Sequence, residues 1–120
     1  MSKPLAFVIE DDVEISNIIS ISLEKEFEIE RYLNGKSALN RLAQVVPAVV
    51  VLDMNLPDVS GTDIFSQIRS DARLGSTKVI LCTADALRAE ALRDQADLVL
   101  LKPISPSQLR QLASRLIVNP

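Results

Sequence analysis

The chain has 120 residues, 48% of them hydrophobic, a net charge of −3 at pH 7, one cysteine and no histidine. This size suits one domain with a core that needs no disulfide or metal staple, and aromatics at 3% make that core aliphatic. The composition excludes a Ser-His-Asp triad, histidine acid–base catalysis, His-ligated zinc and an internal disulfide, and the scattered basic residues lack the footprint of a nucleic-acid-binding domain.

Leu5-Ala6-Phe7-Val8-Ile9 reads as a first buried strand, ending at Glu10-Asp11. A helix follows, with Ile15, Ile18, Ile19, Leu23 and Phe27 on one stripe. Asp12 suits the cap or first turn of that helix. The more polar run Glu28–Leu33 reads as a strand at the edge of a sheet, and Asn34-Gly35 as a turn. Ala38, Leu39, Leu42, Ala43 and Val46 recur at helical spacing until Pro47 stops them. The third strand, Ala48-Val49-Val50-Val51-Leu52, ends on Asp53. Leu56–Gly61 is a loop leading to a short helix with Ile64, Phe65 and Ile68. Val79–Cys82 is a strand ending at Thr83, with Cys82 as a small buried hydrophobe. A short helix from Ala86 to Arg93 and a strand Leu98–Leu101 ending at Lys102 come next. In the last helix Ser105 can cap, Pro106 suits the first position and Gln108 completes a capping box. Leu109, Leu112, Ala113, Leu116 and Ile117 form its stripe.

Five βα units with continuous apolar strands predict a doubly wound α/β domain with a parallel sheet buried on both faces. In such sheets the site lies beyond the carboxyl ends of the strands, at the topological switch point. Glu10, Asp11, Asp53, Thr83 and Lys102 all fall there. Crowded carboxylates raise one another's pKa unless a cation neutralises them, and an oxygen-rich pocket of this kind suits Mg²⁺ or Mn²⁺. Asn55 can add a backbone carbonyl. With an ammonium and a hydroxyl nearby, the set suits a phosphoryl group, and a carboxylate can be the nucleophile that accepts it. No Walker A or GxGxxG motif is present to hold a nucleotide, so the expected donor is another protein or a small phosphoanhydride.

At this point the sequence resembles the receiver domain of two-component response regulators over nearly its whole length. The matching pieces are Val8-Ile9-Glu10-Asp11-Asp12, Val51-Leu52-Asp53-Met54-Asn55-Leu56-Pro57-Asp58 with Gly61, Thr83-Ala84 and Lys102-Pro103. Each is weak alone; the ordered set is specific. The resemblance implies a flavodoxin-like (βα)5 domain over residues 1–120 with strand order 2-1-3-4-5, standing alone or forming the N-terminal part of a longer chain. It implies that Asp53 is the phosphoacceptor for a sensor histidine kinase or a histidine phosphotransfer protein. The metal set would be Asp11, Asp53, the Asn55 carbonyl and Glu10 through water, with Thr83 and Lys102 on the phosphoryl oxygens and a cis Lys102-Pro103 bond. Asn55 and Asp85 are candidate modulators of dephosphorylation, Asp85 by orienting or repelling water, with simple solvation the competing reading.

Three departures from that pattern lie on the fourth-helix and fifth-strand side. Val99 stands where the family commonly has Tyr or Phe, the interval from Thr83 to Lys102 is about one helical turn short, and Gln95 replaces a frequent glycine. An aromatic switch is therefore not expected here. The expected molecule is a cytoplasmic phosphoacceptor switch rather than a turnover enzyme. It would act on an output domain or effector protein, with no direct contact to nucleic acid or membrane and homodimerisation left open. Two alternatives compete: an interaction module that signals without phosphate, and a small aspartate-nucleophile phosphohydrolase. The second would need an acid where Asn55 stands.

Overall fold

The computed structural model describes residues 3–118. Five strands, β1 (Leu5–Ile9), β2 (Glu28–Tyr32), β3 (Val49–Asp53), β4 (Lys78–Thr83) and β5 (Leu98–Leu101), alternate with five helices. The helices are α1 (Val13–Leu23), α2 (Gly35–Leu42), α3 (Gly61–Ser70), α4 (Ala86–Leu92) and α5 (Pro106–Val118). The strands form one parallel sheet in the order β2-β1-β3-β4-β5, the doubly wound topology the alternation predicts.

Strand period divides the core into two layers. Phe7, Ile9, Val50, Leu52, Val79, Leu81 and Val99 point to the side covered by α2, α3 and α4. Ala6, Val8, Val49, Val51, Ile80, Cys82 and Leu100 point to the side covered by α1 and α5. Both faces of each central strand are therefore buried, which is why these strands read as unbroken apolar runs. Fully burying one such aliphatic side chain contributes about 1.5–3 kcal/mol. The β2 edge is blunted instead by charge, with Glu30 paired to Arg41 at 3.0 Å.

The element boundaries differ from the sequence reading in several places. α1 stops at Leu23, with the Glu24 N–H bonded to the Ser20 carbonyl. Phe27 lies beyond it and is buried by the turn into β2, and Ile18, expected on the inner stripe, is half exposed. Tertiary packing of the turn, rather than helical phase, buries Phe27. Asn34 caps α2 through the Ser37 N–H, and Gly35 is the helix's first residue instead of part of a free turn. Val46 is not on that helix. The Ala48 N–H must reach the Leu5 carbonyl (2.8 Å) to start the β1–β3 ladder, so the chain leaves the helix early and Val46 is exposed. Leu33 falls outside β2, and Lys78 and Thr83 belong to β4. A short 3-10 turn, Ala72–Leu74, was not anticipated; Asp71 caps it and Leu74 is buried. Ser105 does cap α5, accepting from the Gln108 N–H at 3.3 Å. Among the described residues no helix is long and apolar enough to cross a membrane. Asn119 and Pro120, the expected end or linker, lie outside the described residues.

Candidate functional site

The order β2-β1-β3 means the sheet reverses direction of growth between β1 and β3. Their carboxyl ends diverge into α1 and α3 and leave a crevice, the usual ligand position in open α/β sheets. Asp53 closes β3 and is 3% exposed, while Glu10, one residue past β1, is 1% exposed. Asp11 beside it is exposed. Carboxylate oxygens of Glu10, Asp11 and Asp53 lie within 4.8 Å of one another.

Lys102, arriving from β5, is the cation that makes this crowding tolerable. Its Nζ is 3.0 Å from Glu10 Oε1 and 3.1 Å from Asp53 Oδ1. Glu10 also accepts from the Asp12 N–H at 3.2 Å. Even so, burial pushes the Glu10 carboxyl up to about 7, with Lys102 opposing and neighbouring Asp53 adding to the rise. Burial alone would lower the Lys102 pKa, but its bonds to Glu10 and Asp53 outweigh it and the net shift is upward. Three carboxylates facing one ammonium leave an excess of negative charge and oxygen donors. The donor set fits a hard divalent cation, Mg²⁺ or Mn²⁺, coordinated by oxygen.

The surrounding backbone fixes the rest of the crevice. The Asn55 N–H turns back onto Asp53 Oδ1 at 3.2 Å. The Met54 N–H bonds to the Cys82 carbonyl, tying the exit of β3 to β4. Gly61 opens α3 where a Cβ would sit 2.5 Å from Met54 Cα, so a side chain there would push α3 off the site. Lys102-Pro103 is cis, as the resemblance implies. Burial pushes the Cys82 thiol up to about 12, so this register partner of Asp53 on β4 behaves as an inert hydrophobe.

Two further predicted residues stand at the end of β4 and at the start of α4. Thr83 ends β4, is buried, and its Oγ1 accepts the Asp85 N–H at 3.1 Å. Asp85 is exposed but not merely solvated: its Oδ1 accepts from the Leu87 and Arg88 N–H groups, capping α4. Asp before an Ala/Leu run is an N-cap signal, and it was legible there. Asp12 caps α1 as expected, accepting from the Ile15 N–H at 3.1 Å. Val99 is 6% exposed and packs in the α2–α3–α4 layer. The fourth helix is as short as the Thr83–Lys102 interval implied, at seven residues. Sequence reasoning missed the Glu10–Lys102 ion pair. It also missed the reach of Asp58, whose two oxygens accept from the Gly35 and Lys36 N–H groups at 2.9 Å.

A family model described as the response regulator receiver domain matches residues 6–114. The phosphate regulon transcriptional regulatory protein PhoB of Rhizobium meliloti is 32% identical over 110 residues, 88% of this chain and 48% of that protein. Response regulator Rre1 of Synechocystis is 27% identical, across 99% of this chain and 54% of its own length. Hybrid signal transduction histidine kinase D of Dictyostelium discoideum is 28% identical across 90% of this chain, which is 7% of that protein. The chain thus spans about half or less of the length of these relatives. Among solved structures, the BeF3-activated receiver domain of DrrB, from Thermotoga maritima, superposes with a TM-score of 0.87 at 29% identity, covering 98% of this chain and 99% of that one.

Proposed function

This chain belongs to the response regulator receiver family of two-component signalling, and on that premise we propose that Asp53 accepts a phosphoryl group in a cation-dependent reaction. The observation that carries the reading is the buried Asp53 carboxylate held between Lys102 Nζ and the carboxylates of Glu10 and Asp11. The donor is the phosphohistidine of a sensor histidine kinase or a phosphotransfer protein, and the recipient of the signal is an output domain or effector. The similarity to a hybrid histidine kinase and to transcriptional regulators supports that pairing.

The reaction forms a bond from an Asp53 Oδ to phosphorus as the bond from phosphorus to the donor's imidazole nitrogen breaks. The leaving electron pair stays on that nitrogen. The equatorial oxygens carry charge that must be neutralised in place. Lys102, already 3.1 Å from Asp53 Oδ1, supplies one positive charge to a phosphoryl oxygen. Thr83 supplies a hydroxyl from the neighbouring strand end. Asp11, Asp53 and the Asn55 carbonyl would hold Mg²⁺, with Glu10 behind them and bonded to Lys102. A bound Mg²⁺ would supply the remaining positive charge against the phosphoryl oxygens. Hydrolysis of the acyl phosphate returns Asp53 and inorganic phosphate and resets the phosphoacceptor switch.

Intact-mass measurement after incubation with acetyl phosphate and Mg²⁺ tests this reading. One phosphoryl group is expected on the wild-type chain and none on Asp53→Asn or in the presence of a chelator. A folded wild-type chain that gains no mass sinks the proposal.

A further inference from the structure

The loop between β3 and α3, residues 54–60, brings Asn55 to the site, and it is held at two points. At its end, Gly61 lies against Met54 and the Asp53 carbonyl with no room for a side chain. In its middle, Asp58 crosses to another element. Its Oδ1 accepts the Gly35 N–H and its Oδ2 the Lys36 N–H, both at 2.9 Å, while Asn34 takes the Ser37 N–H. Three successive first-turn donors of α2 are thereby satisfied, two of them by a loop residue 22 and 23 positions away.

A helix ordinarily caps itself with the residue before its first turn. Here the cap is shared with the loop that leaves the phosphoacceptor strand, so α2 and that loop are fixed to each other. Close approach is built in: a Cβ on Gly35 would lie 2.7 Å from Ile64 Cδ1 and 3.0 Å from Val59 Cβ. The loop thus has two anchors, and Asn55, with its N–H on Asp53 Oδ1, lies between Asp53 and the Asp58 anchor.

We propose that Asp58 is a positioning residue of the phosphoacceptor site, holding the 54–60 loop against α2 so that the Asn55 backbone stays against Asp53. This rests on the reading of Asp11, Asp53 and Asn55 as the cation-binding set. Residues behind a metal's direct ligands characteristically set its affinity, because they decide whether the ligand atoms are already in place.

The test compares the wild-type chain with Asp58→Ala, Asp58→Asn and Gly35→Ala. Backbone amide resonances and Mg²⁺ titrations are read by NMR, and acetyl phosphate supplies an independent rate. In Asp58→Ala the amides of Gly35, Lys36 and Asn55 should all move, and Mg²⁺ should bind about tenfold more weakly. Asp58→Asn keeps one acceptor oxygen and should recover part of that loss. Gly35→Ala pushes the loop from the other side and should reproduce it, which keeps the test decisive if Asp58→Ala does not fold. If Gly35 and Lys36 move while the Asn55 amide and the Mg²⁺ affinity keep their wild-type values, Asp58 merely caps α2 and the proposal is overturned. A wild-type chain that binds Mg²⁺ but gains no phosphoryl group defeats the proposed function, while the amide and affinity readouts still judge the clamp. A wild-type chain that binds no Mg²⁺ overturns both.

Discussion

At the carboxyl ends of β1, β3 and β5, Glu10, Asp53 and Lys102 meet with N–O distances of 3.0 and 3.1 Å and almost no exposure of the two acids. Around α4, between β4 and β5, Ala89 is the buried residue of the helix, Leu87 is 85% exposed and Leu101 at the end of β5 is half exposed. The two regions are neighbours, but different physics holds them. Buried charges have few arrangements that leave none unpaired, so the site is confined to a narrow geometry. A seven-residue helix that buries only Ala89 and part of Leu92 against the core has few apolar contacts to fix it, so its position is energetically softer. The proposed phosphoacceptor chemistry sits in the stiff region, and the face that would report it sits in the soft one.

The comparison can be broken most directly at Lys102. Lys102→Met leaves Glu10 and Asp53 facing each other without their cation, and the rate of phosphorylation by acetyl phosphate should fall about a hundredfold. A rate near wild type would mean that the ion pair is structural alone. The next largest effect separates the core from the face. Leu81→Ala, at a fully buried site in β4, should lower the unfolding free energy by about 2–5 kcal/mol in urea titrations. Leu87→Ala should stay within about 0.5 kcal/mol. A large loss at Leu87 would show that α4 is covered in solution.

Val99 gives an intermediate effect. It is packed within the α2–α3–α4 layer, so Val99→Tyr should cost about 1–3 kcal/mol by overfilling it. An unchanged urea midpoint would reveal room for a ring and with it an aromatic switch that this chain could regain. Asp85→Ala removes the cap of α4 and should cost about 1 kcal/mol. Hydrogen exchange should then accelerate in α4 and leave β4 protected; equal acceleration in both would argue that the helix and strand open as one unit. The smallest effect is at Asp58, whose carboxyl is held below its ordinary value of 3.8 by the Gly35 and Lys36 N–H groups. A depressed folded pKa contributes stability that is fully present above the unfolded value and lost as pH falls through the folded one. The stability difference between wild type and Asp58→Asn should therefore be constant above about pH 5 and shrink at more acid pH. A difference that does not change with pH would mean the carboxylate's charge is irrelevant to the clamp.

Much of the fold was legible because its signals are local. Each central strand announces itself as a short apolar run, and Pro106, Ser105 and Asp12 mark helix starts within four residues of the event. The errors have one cause: a local pattern does not say what the rest of the chain requires. Phe27 and Val46 continue a helical phase on paper, but the chain must turn at those points to enter β2 and β3, and the ladder hydrogen bonds win over the local pattern. Ile18 keeps the helical phase yet stays half exposed, because phase sets the direction of a side chain and not whether another element reaches it. The site was legible as a list of strand ends, because a polar residue closing a buried strand is a departure from the surrounding composition.

The sequence by itself determined the alternation of strands and helices, the burial of both sheet faces and the identity of the strand-end residues Glu10, Asp53, Thr83 and Lys102. These follow from hydrophobic period and from where each apolar run stops. Tertiary structure alone decided that Lys102 pairs with Glu10 as well as Asp53 and that Asp58 binds the start of α2. The first of these joins residues 92 positions apart and the second residues 23 apart. No local pattern encodes which of several nearby charges a side chain will meet. That choice is made when desolvation restricts each buried charge or N–H to the few partners that the fold brings within reach.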